Sequence, residues 1–296
     1  MFKAGALCLA VAIGVPCVAV AQENSPDISV ETGGKLRLTR GISTVEGQGG
    51  GGLTPWAVIT GNETDRGIGG TAHVTAIDLP DYSFLSNGAA VGFYDRFELS
   101  YTRQEFDTED VGVALGLGQG FTFAQDIWGA KVRVAGDAVY DQDTWMPQVA
   151  VGVNWKQNNQ GAVISAIGGA DDEGWETYAS ATKLFLDSSV LLNGTLRWTN
   201  ANQTGLLGYG GNLNDDHELM GEFSVGWMLA PDIVVGAEYR TKPNNLGIAK
   251  ENDWLDLYAA WAINHNLTLT AAYVDLGTIV TFESQRGAYL SLQAGF

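Results

Sequence analysis

The last ten residues of the chain, Gly287-Ala288-Tyr289-Leu290-Ser291-Leu292-Gln293-Ala294-Gly295-Phe296, decide the fold. Every second residue from Ala288 to Phe296 is apolar, and most residues between them are small or polar. A period of two is that of a β-strand whose two faces meet different surroundings. The stretch therefore predicts a strand that ends the chain on an aromatic residue.

The same alternation recurs along most of the chain, for example in Phe97/Leu99/Tyr101 and Leu267/Leu269/Ala271/Tyr273. Mean hydropathy is only 0.00, and after the first 21 residues no stretch approaches the ~18 apolar residues of a membrane helix. A β-barrel reconciles this average with a membrane, because only every second residue faces lipid. The pattern predicts an all-β transmembrane antiparallel up-and-down β-barrel. Arginine at lipid-facing Leu196 or Leu257 should then block assembly, and arginine at lumen-facing Thr195 should be tolerated.

Short and long connections alternate, as expected for short periplasmic turns and long outer loops. With the C-terminus on the periplasmic side, the alternation gives about 14 strands, within a range of about 12 to 16. The predicted strands are 34–42, 53–61, 70–78, 87–94, 96–104, 126–135, 147–156, 175–184, 190–199, 217–228, 232–240, 253–262, 267–275 and 287–296.

Two further segments, 111–118 and 162–169, fit either extra strands or short helices in outer loops. We favour helices, because Glu109-Asp110 suits a first turn and Gly168-Gly169 a helix end.

Aromatic residues sort to the two ends of the predicted strands, as they do at membrane interfaces. One group falls at the outer ends and the other at the periplasmic ends: Tyr101, Trp155, Trp198, Tyr239 and Tyr273, against Phe97, Trp227, Trp261 and Phe296.

Residues 1–21 have the features of a cleaved signal peptide, with Lys3, an apolar run and the small residues Ala19 and Ala21 before Gln22. We expect export through the inner membrane, a short periplasmic segment at 22–33 and an outer-membrane barrel at 34–296. Cys8 and Cys17 both lie in the signal peptide, so the mature chain would have no disulfide or thiolate chemistry.

The formal net charge of -18 argues against nucleic acid as a partner. Many acidic residues lie in predicted outer loops, including Asp171-Asp172-Glu173 and Asp215-Asp216. They suit either capture of cations and bridging to lipopolysaccharide, or a solvated surface, and we favour the solvated surface.

Charged residues also occupy predicted lumen positions. They suit either a charged constriction that selects anionic solutes or a ladder of ion pairs that fills the lumen, and the sequence favours neither. The candidates are Lys35, Arg37, Glu98, Lys131, Arg133, Lys156, Arg197, Glu222, Glu238, Arg240 and Asp256.

Other motifs carry little chemistry. Gly47-x-Gly49-x-x-Gly52 matches a dinucleotide fingerprint, but Pro55 follows and no helical pattern does, so a flexible hairpin loop is favoured. Asp215-Asp216-His217-Glu218 suits an acidic loop better than a metal site. We expect no cofactor and no metal. We also expect no enzymatic activity, since no Ser-His-Asp arrangement can be recognised.

Two resemblances support the barrel. The final strand resembles the C-terminal strand of bacterial outer-membrane proteins, whose last Phe is read by the barrel-assembly machinery; Phe296 would be that signal. Gly51-Gly52-Leu53-Thr54-Pro55-Trp56, Tyr94-Asp95-Arg96-Phe97-Glu98 and Gly236-Ala237-Glu238-Tyr239-Arg240 resemble a proteobacterial outer-membrane family known only as a domain of unknown function. This resemblance implies a barrel, but no substrate and no catalytic residues.

We therefore expect a Gram-negative outer-membrane channel or transporter for a small solute that the sequence does not identify. The alternatives are a structural or interaction barrel with a plugged lumen, and a membrane-embedded lipid-modifying enzyme. The expected partners are outer-membrane lipids, lipopolysaccharide and, during assembly, the barrel-assembly machinery.

Overall fold

The computed structural model describes residues 33–248 and 250–296. The predicted signal peptide and residues 22–32 lie outside the described residues. Among the described residues, no helix is both long and apolar enough to cross a membrane.

Twelve strands form a closed antiparallel barrel in which each strand pairs with its neighbours in the chain, and the last strand pairs with the first strand of the barrel to close it. The strands are β3 (Ile68–Asp78), β4 (Ser83–Phe93), β5 (Phe97–Asp107), β6 (Thr122–Ala135), β7 (Gln148–Asn158), β8 (Glu173–Phe185), β9 (Val190–Thr199), β10 (Glu218–Ala230), β11 (Ile233–Arg240), β12 (Trp254–Ala262), β13 (Leu267–Asp275) and β14 (Arg286–Gly295).

These strands confirm twelve of the predicted segments, and their number lies within the predicted range. The connections at the Phe296 end include the tight turns at 94–96 and 231–232, whereas the opposite end carries the longer loops 108–121, 159–172 and 200–217. Short periplasmic turns and long outer loops are the rule for such barrels, so the Phe296 end is the periplasmic end.

The wall strands have apolar outer faces, and most of them have polar inner faces. In β14, Leu290 and Leu292 are exposed, while Ser291 and Gln293 are buried. A soluble protein has the reverse arrangement, because there water lies outside and the apolar residues inside. All nine residues of the predicted aromatic girdles lie on the exposed outer face.

The predicted strands at 34–42 and 53–61 are wrong. Residues 33–66, which we call the plug, enter the barrel from its periplasmic end, and residues 40–63 are buried inside it. Two short strands of the plug, β1 (Ile42–Ser43) and β2 (Gly49–Gly50), pair with each other and with no wall strand. This segment is unsuited to a wall strand, because Pro55 lacks a backbone N–H donor and Ala57-Val58-Ile59 does not alternate between apolar and polar residues.

The loops at the outer end fold over and into the barrel. The helices α1 (Val111–Ala114) and α2 (Gly161–Ala166) confirm the predicted helices in two of them. Residues 200–217, which we call the lid, turn inward at a 3-10 turn, Asn202–Gly205, that is fully buried. Leu206 and Leu207 of the lid share an apolar cluster with Val45 at the tip of the plug.

Candidate functional site: the plugged lumen

Polar side chains of the barrel wall hold the backbone of the plug. Thr195 and Ser180 donate hydrogen bonds to the carbonyl of Pro55, at 2.9 and 3.2 Å. The Gln148 amide donates to the Ala57 carbonyl at 2.7 Å. Because plug residues lack the partners of a regular sheet, these side chains satisfy backbone groups that burial would otherwise leave unpaired.

Glu98 and Lys131 form a buried ion pair of 3.0 Å on neighbouring strands β5 and β6. The Glu98 carboxylate accepts hydrogen bonds from the backbone N–H groups of Gly49 and Thr60. The Lys131 ammonium donates to the carbonyls of Gly49 and Trp56. The pair thus binds both N–H and carbonyl groups of the plug backbone.

Glu46, at the tip of the plug, lies among three cations of the wall. Its Oε1 is 2.7 Å from Lys156 Nζ and 2.8 Å from Arg240, and its Oε2 is 3.2 Å from Arg197. All four side chains are at most 3% exposed. A buried carboxylate is stable only with such compensation.

Two wall carboxylates alternate with these cations around the barrel. The five wall residues lie on successive strands: Lys156 on β7, Glu176 on β8, Arg197 on β9, Glu222 on β10 and Arg240 on β11. Glu176 contacts Lys156 at 2.9 Å and also Arg197, while Glu222 contacts Arg197 and, at 3.5 Å, Arg240. The alternation spaces opposite charges on adjacent strands.

Glu238 and Asp256 form a second acidic position in the wall, and Glu238 binds the plug at Leu53 and Thr54. The Glu238 carboxylate accepts hydrogen bonds from the Leu53 N–H and from the hydroxyls of Thr54 and Ser224. Asp256 accepts from the backbone N–H of Glu238 at 3.1 Å. These acids meet neutral donors rather than cations.

The periplasmic base of the plug carries a separate, half-open charge network. Lys35 contacts Asp95 at 2.8 Å and Glu63 at 3.3 Å. Arg133 also pairs with Asp95. These side chains retain access to solvent except for Glu63, so they fasten the base of the plug rather than line a constriction.

The structure thus divides the eleven predicted lumen residues into three groups. Lys35 and Arg133 lie at the base, and Arg37 is exposed there. The remaining eight are buried in the lumen: Glu98, Lys131, Lys156, Arg197, Glu222, Glu238, Arg240 and Asp256. Six of them form ion pairs, Glu238 binds the plug, and Asp256 accepts a hydrogen bond from the backbone of Glu238.

Sequence reasoning missed Glu46 and Glu176. Glu176 alternates with Tyr178, Ser180 and Thr182 on the inner face of β8, so its position was readable from the pattern. Glu46 lies in a glycine-rich segment without periodicity, and no local signal places it in the lumen.

The lid closes the outer side of the site. Thr204 accepts a hydrogen bond from Lys156 at 2.9 Å through its carbonyl, and Gln203 accepts one from Lys242 at 2.9 Å. Lys242 in turn pairs with Glu251 at 3.0 Å. Burial raises the pKa of the Glu251 carboxyl and lowers the pKa of the Lys242 ammonium, so each charge depends on the other.

The glycine motif at 47–52 forms a hairpin, as predicted, but it is buried rather than flexible. The plug needs glycine there because it approaches the wall closely. A Cβ added at Gly51 would lie 2.1 Å from Glu238 Oε1.

His73 and His217 make contacts of different kinds. His73 Nε2 lies 3.3 Å from Ser86 Oγ, but Ser86 donates to the plug carbonyl of Val45, and His73 Nδ1 has no hydrogen-bond partner among the described residues. His217 stacks on Trp175. Within 33–248 and 250–296, no group of three or more His, Cys, Asp or Glu is placed to hold a metal ion.

A closed antiparallel barrel with an apolar exterior and a polar interior defines the class of Gram-negative outer-membrane β-barrel proteins. Within that class the chain belongs to DUF3034, a family described as protein of unknown function, which matches residues 39–293. This confirms the predicted family. The chain has no match among curated proteins.

Solved porins share the fold. The KdgM porin is 8% identical with a TM-score of 0.50, over 76% of this chain and 99% of the porin. The KdgM porin in complex with disordered oligogalacturonate is 9% identical with a TM-score of 0.51, over 76% and 99% of the two chains. At these identities the likeness concerns the fold.

Proposed function

We propose that the protein is an outer-membrane channel for small solutes, closed at rest by its own N-terminal plug. The observation that carries the proposal is the chemistry of the contact between plug and wall. The wall holds the plug largely through hydrogen bonds and ion pairs, such as those of Glu98, Glu238 and Arg240.

A permanent core would be better built from apolar side chains. Replacing buried ion pairs by packed apolar residues is often neutral or stabilising, so charges in a static core bring no advantage. A polar wall is useful when water and solute replace the plug, because the same donors and acceptors then remain satisfied.

The size of the barrel also suits a passage. Barrels of about 8 strands are filled by their own side chains, and those of about 16 leave a channel. This barrel has twelve strands, and its lumen accommodates a separate chain segment. Without the plug, that volume becomes a polar-lined route.

Plug and lid together close this route at rest. Between the plug tip and the lid lies a cavity of about 20 Å³ lined by Val45, Phe106 and Leu206, among others. That is room for about one water molecule. Because the lid packs against Val45 of the plug, transport requires the plug to leave this contact.

The second candidate is a structural barrel whose lumen stays closed. The apolar cluster of Val45, Leu206 and Leu207 favours it, because it seals the outer mouth without polar contacts. We assign no catalytic role to the protein, since the His73–Ser86 contact faces the plug rather than lipid.

Single-channel conductance in planar bilayers tests the proposal. Three proteins beginning at Gln22 are compared: the unchanged chain, a chain lacking residues 33–66, and a Thr60→Cys/Thr71→Cys variant. The hydroxyls of Thr60 in the plug and Thr71 in β3 are 2.9 Å apart, so the two thiols can form a disulfide, and no other cysteine follows Cys17.

We expect brief openings from the unchanged chain, a steady conductance from the chain without the plug, and silence from the oxidised variant that ends on reduction. Circular dichroism confirms that each protein is folded. A folded chain that lacks the plug and still passes no current overturns the channel and supports the structural barrel.

A further inference from the structure

We infer that the Glu46 carboxylate occupies the binding site for the carboxylate of the transported solute, and that a small organic anion opens the channel by displacing it. The inference rests on the proposed function and adds the solute class and the means of opening. It follows from the surroundings of Glu46.

The wall presents three donors to the two oxygens of one carboxylate. Lys156 and Arg240 both contact Oε1, and Arg197 contacts Oε2. These are charge-assisted contacts, in which guanidinium and ammonium groups match carboxylate oxygens. The site is therefore complete for any carboxylate of similar reach, whichever molecule carries it.

Charge balance shows why the site would attract another anion once Glu46 leaves it. With the plug in place, Lys156, Arg197 and Arg240 face Glu46, Glu176 and Glu222. Without Glu46, three cations face two carboxylates. The excess positive charge would attract an anion to this position in an open lumen.

Glu46 lies on a different kind of chain segment from Glu176 and Glu222. Glu176 and Glu222 are fixed in the wall strands β8 and β10. Glu46 lies in the turn between β1 and β2, two strands of two residues each that pair with no wall strand. It is the acid that can leave without breaking the barrel.

The same lysine connects the site to the lid. Lys156 Nζ contacts Glu46 at 2.7 Å and the lid carbonyl of Thr204 at 2.9 Å. An anion that draws Lys156 away from Glu46 also disturbs this lid contact. One event at Lys156 thus weakens one contact of the plug and one contact of the lid.

The test records the open fraction of single channels in potassium chloride with added gluconate, or with glucose as a neutral solute of similar size. For the unchanged chain we expect millimolar gluconate to raise the open fraction by about tenfold, and glucose to leave it unchanged. This comparison needs no substitution. Equal effects of the two solutes would contradict the inference.

The Glu46→Gln variant keeps the shape of the side chain and removes its charge. We expect it to be open about tenfold more often without gluconate, to respond no further to gluconate, and to prefer anions over cations in the reversal potential across a salt gradient. An open Glu46→Gln channel that prefers cations would overturn the inference.

Glu238→Gln is the matched control. It weakens another buried contact of the plug, to Leu53 and Thr54, but leaves Glu46 among its cations. We expect it to open more often and still to respond to gluconate; loss of the response here would show that any loosened plug behaves alike. Absence of current through the folded chain lacking residues 33–66 would contradict the proposed function itself. An unchanged chain that conducts but does not respond to gluconate would contradict only this inference.

Discussion

At the scale of single residues, position relative to the membrane decides what a charge does. Leu257 is 59% exposed in the middle of β12, where it faces lipid. Leu257→Arg should lower the free energy of unfolding by about 2–4 kcal/mol, because a charge near the midplane loses its hydration. Urea unfolding in lipid vesicles measures this.

Leu213→Arg is the control for that change. Leu213 is 62% exposed as well, but it lies in the lid outside the membrane, so arginine should be tolerated. Equal losses at both positions would place the membrane elsewhere on the barrel.

Thr195 corrects an expectation drawn from alternation alone. An open lumen would accept arginine there, as the sequence predicted, but Thr195 is buried against the plug and donates to Pro55. Arginine at this position should instead expel the plug.

The Glu98–Lys131 pair allows an energetic test of the wall. Lys131→Met leaves the Glu98 carboxylate buried without its cation and should lower the free energy of unfolding by about 3–5 kcal/mol. Adding Glu98→Gln removes the unpaired charge and should recover part of the loss. Urea titrations of the unchanged chain, both single variants and the double variant give the free energies of unfolding for a double-mutant cycle. A double variant as unstable as Lys131→Met alone would mean that the charge is not the cause.

At the scale of elements, the plug approaches the wall closely at Gly51. Gly51→Ala would place a methyl group 2.1 Å from the Glu238 carboxylate. We expect a folded barrel whose plug seats poorly and whose channels are open more often in bilayers. Gly194→Ala, where the nearest side-chain atom is 4.0 Å away, should behave as the unchanged chain. Identical records for both variants would show that the hairpin is not held against Glu238.

The strands could be predicted from the sequence because each one separates lipid from lumen, and that contrast imposes a period of two on neighbouring residues. β9 and β13 begin and end at the predicted residues. The plug has no such contrast, since residues 40–63 are buried on all sides. Its contacts are also distant in sequence: Glu46 and Arg240 lie 194 residues apart. No local pattern carries that information.

At the scale of the whole molecule, the end of the chain joins the barrel to the plug. The Phe296 carbonyl accepts hydrogen bonds from Gly70 of β3 at 2.8 Å and from Asn62 of the plug at 3.2 Å. Deleting Phe296 should lower the yield of assembled barrel, both through these lost contacts and, by the resemblance to other outer-membrane proteins, through lost recognition during assembly.

Shifts in gel mobility between heated and unheated outer-membrane fractions measure that yield. Phe296→Tyr keeps the backbone contacts and the aromatic ring, and should assemble as the unchanged chain does. An unaltered yield after the deletion would show that the last residue is dispensable.

The plug continues directly into β3 through residues 64–67, so it never diffuses away from the lumen. A tethered group competes at its effective concentration, which is in the millimolar range for short links. A free anion must match that concentration, weighted by its own affinity, before it displaces Glu46. The barrel would then admit its solute when the solute is abundant outside and reseal unaided as it becomes scarce, which protects the cell from a permanently leaking outer membrane.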